Sequence, residues 1–262
     1  MTMHIAEFTK TFESILPNNK NKDPTMTRDR AKTALIYRII GLLISTTGIV
    51  LHMLADNIIE TGFMVRYKLA YFTIQTNIWI ALLFAILVIK TLMNHKKDGK
   101  WNVASIKPGL HGALTFYIFM TFLVFWGVLA PTSGVPANRF LFITSFIMHF
   151  ITPMLAIADF LMFCPRGKLE KRHAAIWLSY PIGYLVFVML FSRVITEPYY
   201  AINMKGDTIN LMYPYPFLDP QVMGNVGVVI AVILLAAVFY ALARLFVFID
   251  DNIAKRKTDL KS

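Results

Sequence analysis

The sequence has a single cysteine, Cys164, in 262 residues. No intramolecular disulfide can therefore form, and a redox role is not expected. Charge is also scarce, at 16% of residues against 56% hydrophobic, and the mean hydropathy of +0.57 is too apolar for an ordinary soluble domain. Internal repeats and low-complexity tracts are missing. No inverted repeat relates the two halves, which argues against a secondary transporter. No cleavable signal peptide is read either. The first thirty residues are polar and mixed in charge, and the first apolar block is too long for a signal core. No metal-ligand cluster and no cofactor motif is found, so neither a metal nor a cofactor is expected.

What the chain does contain is apolar sequence in long blocks. A spanning helix needs roughly 20 mostly apolar residues, because its backbone must satisfy its own hydrogen bonds in lipid. Six blocks qualify: Lys32–Ala55, Tyr71–Met93, Pro108–Ala130, Phe140–Phe163, Ala174–Ile195 and Val222–Ile249. The expected fold is an all-α membrane protein, a single bundle of six transmembrane helices. Residues 1–31 form an N-terminal tail, 32–249 the membrane domain and 250–262 a C-terminal tail. The first tail has Ile5, Phe8, Phe12, Ile15 and Leu16 at helical spacing, which fits a short interfacial helix or a partly ordered tail.

The formal charge of +11 invites a nucleic-acid reading, but its distribution indicates topology instead. Lys10, Lys20, Lys22, Arg28, Arg30 and Lys32 precede the first block, and Lys96, Lys97, Lys100 and Lys107 follow the second. Arg166, Lys168, Lys171 and Arg172 follow the fourth, and Lys255, Arg256, Lys257 and Lys261 follow the sixth. The alternate loops hold only Arg66 and Lys68, then Arg139, then Lys205. This asymmetry predicts both termini in the cytoplasm of a cell-membrane protein, with membrane lipids rather than nucleic acid as partners.

One connection is long. Residues 196–221 contain Glu197-Pro198-Tyr199-Tyr200 and Tyr213-Pro214-Tyr215-Pro216-Phe217-Leu218-Asp219-Pro220. Long loops in compact proteins are uncommon and often functional. The segment reads either as an interfacial anchor or as a proline-stiffened lid in which Tyr213, Tyr215 and Phe217 close a cavity.

Polar groups inside spanning segments are costly and mark function or helix contact. In the second block Thr73, Thr76 and Asn77 share one face, and in the fourth Ser145, His149 and Thr152 do, followed by Pro153. A lone Thr commonly bonds the carbonyl one turn back, whereas an intramembrane His is a functional candidate by default. At about 1.5 Å per residue, Thr73 lies roughly 9 Å outside the midplane and His149 roughly 5 Å outside it. Tilt absorbs a mismatch of about 4 Å, so the two can meet. His111 lies at the inner end of the third block, on the wrong side for Thr73. His52, with Asp56 four residues on, is the reserve candidate.

Tyr71-Phe72-Thr73, Met148-His149 with Pro153, and Tyr215-Pro216-Phe217-Leu218-Asp219 resemble the androgen-induced and androgen-dependent TFPI-regulating protein family. The likeness is greatest to that family's bacterial six-helix relatives, through Asp159, Pro165-Arg166-Gly167 and Tyr180-Pro181. It spans nearly the whole membrane region. The animal members are membrane-embedded threonine hydrolases of fatty acid esters of hydroxy fatty acids. The resemblance implies Thr73 as nucleophile and His149 as its partner; the animal loop motif ends in Glu where this chain has Asp219.

The expected activity is hydrolysis of a lipid or fatty-acyl ester within the outer leaflet. His149 takes the proton of the Thr73 hydroxyl, which is a poor nucleophile until so activated. Gln75 or Asn77 is the candidate oxyanion donor, and Asp219 is a candidate to orient the imidazole. The competing expectation is a non-enzymatic lipid-binding or small-solute transport protein that uses His149 and the polar faces as a binding site or proton relay.

Overall fold

The computed structural model describes residues 24–58, 65–194, 198–202 and 208–259. Six helices are long and apolar enough to cross a membrane: α1 Arg28–Ala55, α2 Phe72–Asp98, α3 Pro108–Thr132, α4 Arg139–Phe163, α5 Lys171–Phe191 and α6 Pro220–Arg256. Their outward faces carry large apolar side chains in bands, among them Trp79, Leu82, Ile86 and Ile89 on α2 and Val226, Ile230 and Ile233 on α6. A soluble protein does not leave apolar surface on this scale in water. The chain is a six-helix, multi-pass membrane protein.

Helical structure continues past the apolar blocks. The first helix starts at Pro24, well before Lys32, and the last runs to Asp259. Apolar runs mark membrane thickness, whereas a helix continues into water as long as its residues tolerate it. The proposed interfacial helix around Ile5–Leu16 lies outside the described residues.

Local chemistry sets the helix ends. The Asn138 side chain accepts from the Phe140 and Leu141 amides and starts α4. Pro108 occupies the first turn of α3, where its missing N–H costs nothing. Gly99 takes a left-handed φ of 68° and closes α2 through its N–H on the His95 carbonyl. α5 is interrupted between Ile176 and Ser179. Pro181 lacks the N–H that would close on the Trp177 carbonyl.

The central pack joins α1, α2, α3 and α4. Ile80, Leu83, Phe84 and Leu87 of α2 meet Ile118 of α3 and Ala156 of α4. α1 lies close because a Cβ on Gly48 would stand 2.6 Å from Ile147 Cγ2 of α4. At the end where α1 begins and α6 finishes, three ionisable side chains are fully buried together. Arg38 Nε donates to Asp159 Oδ1 at 2.7 Å, Arg38 Nη1 donates to the Ala104 carbonyl at 2.8 Å, and His111 Nε2 stands 3.2 Å from Asp159 Oδ2. Burial of such charges is tolerated only when they are paired.

The opposite end is closed by the long connection. It forms a two-stranded antiparallel hairpin, β1 Tyr199–Ile202 and β2 Thr208–Leu211, with Tyr199 opposite Leu211. Tyr199 and Leu211 pack on Tyr67 and Ala70, just before α2. A single 3-10 turn, Pro216–Leu218, then leads into α6. α6 packs at one end against Lys171–Ile176 and at the other against Pro216–Leu218, with little close backbone contact to Ser179–Phe191 between them. This gap shapes the site.

Candidate active site

Thr73 is the second residue of α2, at the hairpin end of the bundle. Its Oγ1 lies 3.2 Å from His149 Nε2, and both residues are buried. The other imidazole nitrogen, Nδ1, is 2.8 Å from the Ser145 carbonyl and 3.1 Å from Ser145 Oγ. A carbonyl only accepts, so Nδ1 carries the hydrogen and Nε2 presents its lone pair to the threonine hydroxyl. The Phe125 ring stacks on the imidazole, with centroids 3.7 Å apart and planes at 21°, and fixes its tilt.

Two π-helical turns build this geometry, Phe125–Leu129 in α3 and Ile147–Ile151 in α4. Each is followed by a proline, Pro131 and Pro153. Pro153 has no N–H to close on the preceding turn, which leaves carbonyls short of a donor. Side chains of neighbouring helices fill the gap. Asn77 Nδ2 of α2 donates to the Met148 carbonyl at 3.2 Å, and Trp126 Nε1 of α3 donates to the His149 carbonyl at 3.2 Å. The irregular turn is thus bonded to α2 and α3, and it turns His149 toward Thr73.

Not every candidate is brought to the Thr73–His149 pair. Asn77 gives its amide hydrogens to the Thr73 carbonyl at 2.9 Å and to Met148, so it braces α2 against α4 and has none left for an oxyanion. Gln75 faces α5; its Nε2 donates to the Leu69 carbonyl and its Oε1 accepts from Tyr180 Oη, both at 3.0 Å. Two positions after Thr73 on a helix is the wrong face for the site. Asp219 does not approach the imidazole. Its carboxylate accepts from the Met212 amide at 2.6 Å and the Gln221 amide at 2.8 Å, tying β2 to the start of α6. The group holding the imidazole is the Ser145 backbone carbonyl. His52 Nδ1 pairs with Thr144 Oγ1 at 3.2 Å, and His111 belongs to the Arg38–Asp159 cluster.

Thr73 stands on the wall of an apolar cavity of about 120 Å³ lined by α2, α3, α5, α6 and the long connection. One water needs roughly 10–15 Å³, so the space admits a chain of several methylenes. Val124, Leu129, Pro181, Leu185, Val232 and Phe239 make up much of the lining. His149 sits behind Thr73, screened by Phe125. Tyr215 and Phe217 line the hairpin end of the cavity, their rings stacked at 5.2 Å, while Tyr213 packs behind them. Among the described residues, the wall's polar side chains are Thr73, Thr121, Tyr184 and Tyr215. Thr121 pairs with Thr76 Oγ1 at 2.8 Å, and Tyr184 Oη donates to the Ala70 carbonyl at 2.9 Å.

The roles of Phe125, Trp126 and the Ser145 carbonyl escaped the sequence reading. A usable signal was there: Pro153 four residues after His149 orphans a carbonyl at the turn that bears the imidazole. Among the described residues no group of three or more His, Cys, Asp or Glu gathers to hold a metal ion. No protein-family model, no curated protein and no solved structure matches this chain.

Proposed function

We propose that the chain is an intramembrane hydrolase of lipid or fatty-acyl esters, with Thr73 as nucleophile and His149 as base. The observation that carries this reading is the 3.2 Å approach of Thr73 Oγ1 to a His149 Nε2 whose Nδ1 is held on a carbonyl. Nucleophile, base and orienting acceptor stand in line, within the reach that proton transfer needs. The apolar cavity beside Thr73 suits an acyl chain.

In this scheme His149 Nε2 takes the hydroxyl proton as Thr73 Oγ1 bonds to the ester carbonyl carbon, and the π electrons of the carbonyl move onto its oxygen. Collapse of that adduct expels the alcohol, which receives its proton from His149, and leaves acyl-threonine. Water, deprotonated in turn by His149, attacks the acyl carbon; the acyl–Oγ1 bond breaks as His149 returns that proton to Thr73 Oγ1, which frees the fatty acid and restores the threonine. The gap between α5 and α6 is the route by which an acyl chain slides in from the bilayer.

The resemblance to the androgen-induced and androgen-dependent TFPI-regulating protein family favours fatty acid esters of hydroxy fatty acids as the ester class. The lysine and arginine distribution supports cytoplasmic termini in a cell membrane, so that the hairpin end and Thr73 lie in the outer leaflet.

The deciding test is labelling of purified protein by a fluorophosphonate, together with turnover of long-chain esters. Wild type is expected to be labelled and active. Thr73→Ala, Thr73→Val and His149→Ala lose nearly all turnover while folded, and Thr73→Ser keeps a measurable part. Loss of both partners should be little worse than loss of one, because nucleophile and base act as a unit. Full turnover by folded Thr73→Val would overturn the scheme in favour of a lipid-binding protein.

A further inference from the structure

The site as built from Thr73 and His149 lacks a donor for the negative charge that develops on the carbonyl oxygen. Such donors are usually a large part of ester hydrolysis, and both amides expected to serve, Gln75 and Asn77, are engaged elsewhere. We infer that the Tyr215 hydroxyl is the oxyanion donor, hydrogen-bonding the carbonyl oxygen of a fatty-acyl ester as Thr73 attacks it; this inference rests on the ester-hydrolase reading above.

Position is the first argument. Tyr215 lines the same cavity as Thr73, and its Oη accepts from the Thr73 amide at 3.4 Å. The phenol also neighbours the Thr73 hydroxyl, the Phe72 amide and the Tyr184 hydroxyl. Of the polar groups on the wall, Thr121 and Tyr184 already spend their hydrogens on other partners. Thr73 and Tyr215 are the pair that converge on one point.

Orientation is the second. The amides of Phe72 and Thr73 belong to the first turn of α2, where backbone N–H groups have no acceptor within the helix. They point at the lone pairs of Tyr215 Oη, so the phenolic hydrogen is turned away from them, toward the Thr73 hydroxyl. In the tetrahedral adduct the oxyanion is two bonds from Thr73 Oγ1, and a small swing of that hydrogen meets it. Donation from the amides, at the positive end of α2, also polarises the phenol and strengthens it as a donor.

Rigidity is the third. The Tyr215 ring stacks on Phe217 with planes at 4° and meets Tyr71 edge-on at 88°. The phenol is therefore in place before the substrate arrives, and its donation costs no reorganisation during the reaction. Burial raises its pKa above the ordinary tyrosine value, while the Thr73 and Phe72 amides donating to its oxygen pull the other way; the net shift is upward. A neutral phenol, the form that can donate, is thus favoured at physiological pH.

The test is Tyr215→Phe in the full-length protein, which keeps the ring stack and removes one oxygen. Turnover of a long-chain ester should fall by about 10²–10³ in kcat with KM nearly unchanged, as for loss of a single oxyanion donor. The rate of fluorophosphonate labelling should fall in parallel, because the phosphoryl oxygen occupies the same position. A raised KM with kcat intact would show that Tyr215 only packs against substrate, and would overturn the inference. Full kcat in Tyr215→Phe beside an inactive Thr73→Ala would overturn it while leaving the hydrolase reading standing. Full activity in Thr73→Val would remove both. If Tyr215→Phe does not fold, a fluorinated tyrosine placed at Tyr215 retains the hydroxyl and makes it more acidic. The alkaline limb of the kcat profile should then move to lower pH, and an unmoved limb counts against the inference.

Discussion

Replacing Asn77 by leucine should separate the stability of this bundle from its activity. The Asn77 amide holds the Thr73 and Met148 carbonyls, while its own Oδ1 is buried with no hydrogen-bond partner among the described residues. Leucine fills nearly the same space without either polar atom. The Thr73 carbonyl keeps a donor in Thr76 Oγ1 at 3.1 Å, so the new orphan is the Met148 carbonyl alone. An unmet buried acceptor costs about 1–3 kcal/mol, and removal of the Oδ1 orphan returns a similar amount. Asn77→Leu should therefore unfold within about 1 kcal/mol of wild type. Activity should behave differently. Asn77 is the direct tie between the turn bearing Thr73 and the π turn bearing His149, and a misplacement of about 1 Å at a reacting pair costs about 10²-fold in rate. Ester turnover and fluorophosphonate labelling, measured beside thermal unfolding in detergent, check both halves. Wild-type turnover in Asn77→Leu would refute the bracing role. A loss of stability well above about 1 kcal/mol would refute the exchange of one orphan for another.

The buried ionic cluster at the other end should show the reverse pattern. Asp159→Asn leaves the Arg38 guanidinium uncompensated in a dry site and should destabilise by about 3–5 kcal/mol; the folded fraction should hydrolyse ester normally. The double variant Arg38→Met with Asp159→Leu should recover most of that stability in the same thermal assay. For topology, a reporter fused after Ser262 should be active only on the cytoplasmic side; activity only outside would reverse the proposed orientation of Thr73.

Helix number and approximate placement were legible because lipid imposes a one-dimensional rule: each crossing must satisfy its own backbone over a fixed thickness. The six apolar blocks and the six observed helices agree to within a few residues at most ends. The hairpin was not legible. Its strands are short, and they are held by packing on Tyr67 and Ala70, which are remote in sequence. The role of Arg38 as a paired intramembrane charge was not legible either, since its partners are remote in sequence, Asp159 at a separation of 121 residues and the Ala104 loop carbonyl at 66.

By itself the sequence determined which side chains had the chemistry and the depth to meet. Thr73 and His149 each sit on a polar face, in separate helices at matched height, and helical rise alone is enough to calculate that. Tertiary structure alone decided what each neighbouring polar group does. Hydrogen bonds are directional and short, so the angle between α2 and α4 settles whether Asn77 points at carbonyls or at a substrate. The same holds for Ser145, whose carbonyl rather than its place on a polar face fixes the imidazole, and for Asp219, whose carboxylate is drawn to the free amides of Met212 and Gln221. Depth along a helix follows from counting residues; direction around it, once π turns and prolines intervene, follows only from the packing of the whole bundle.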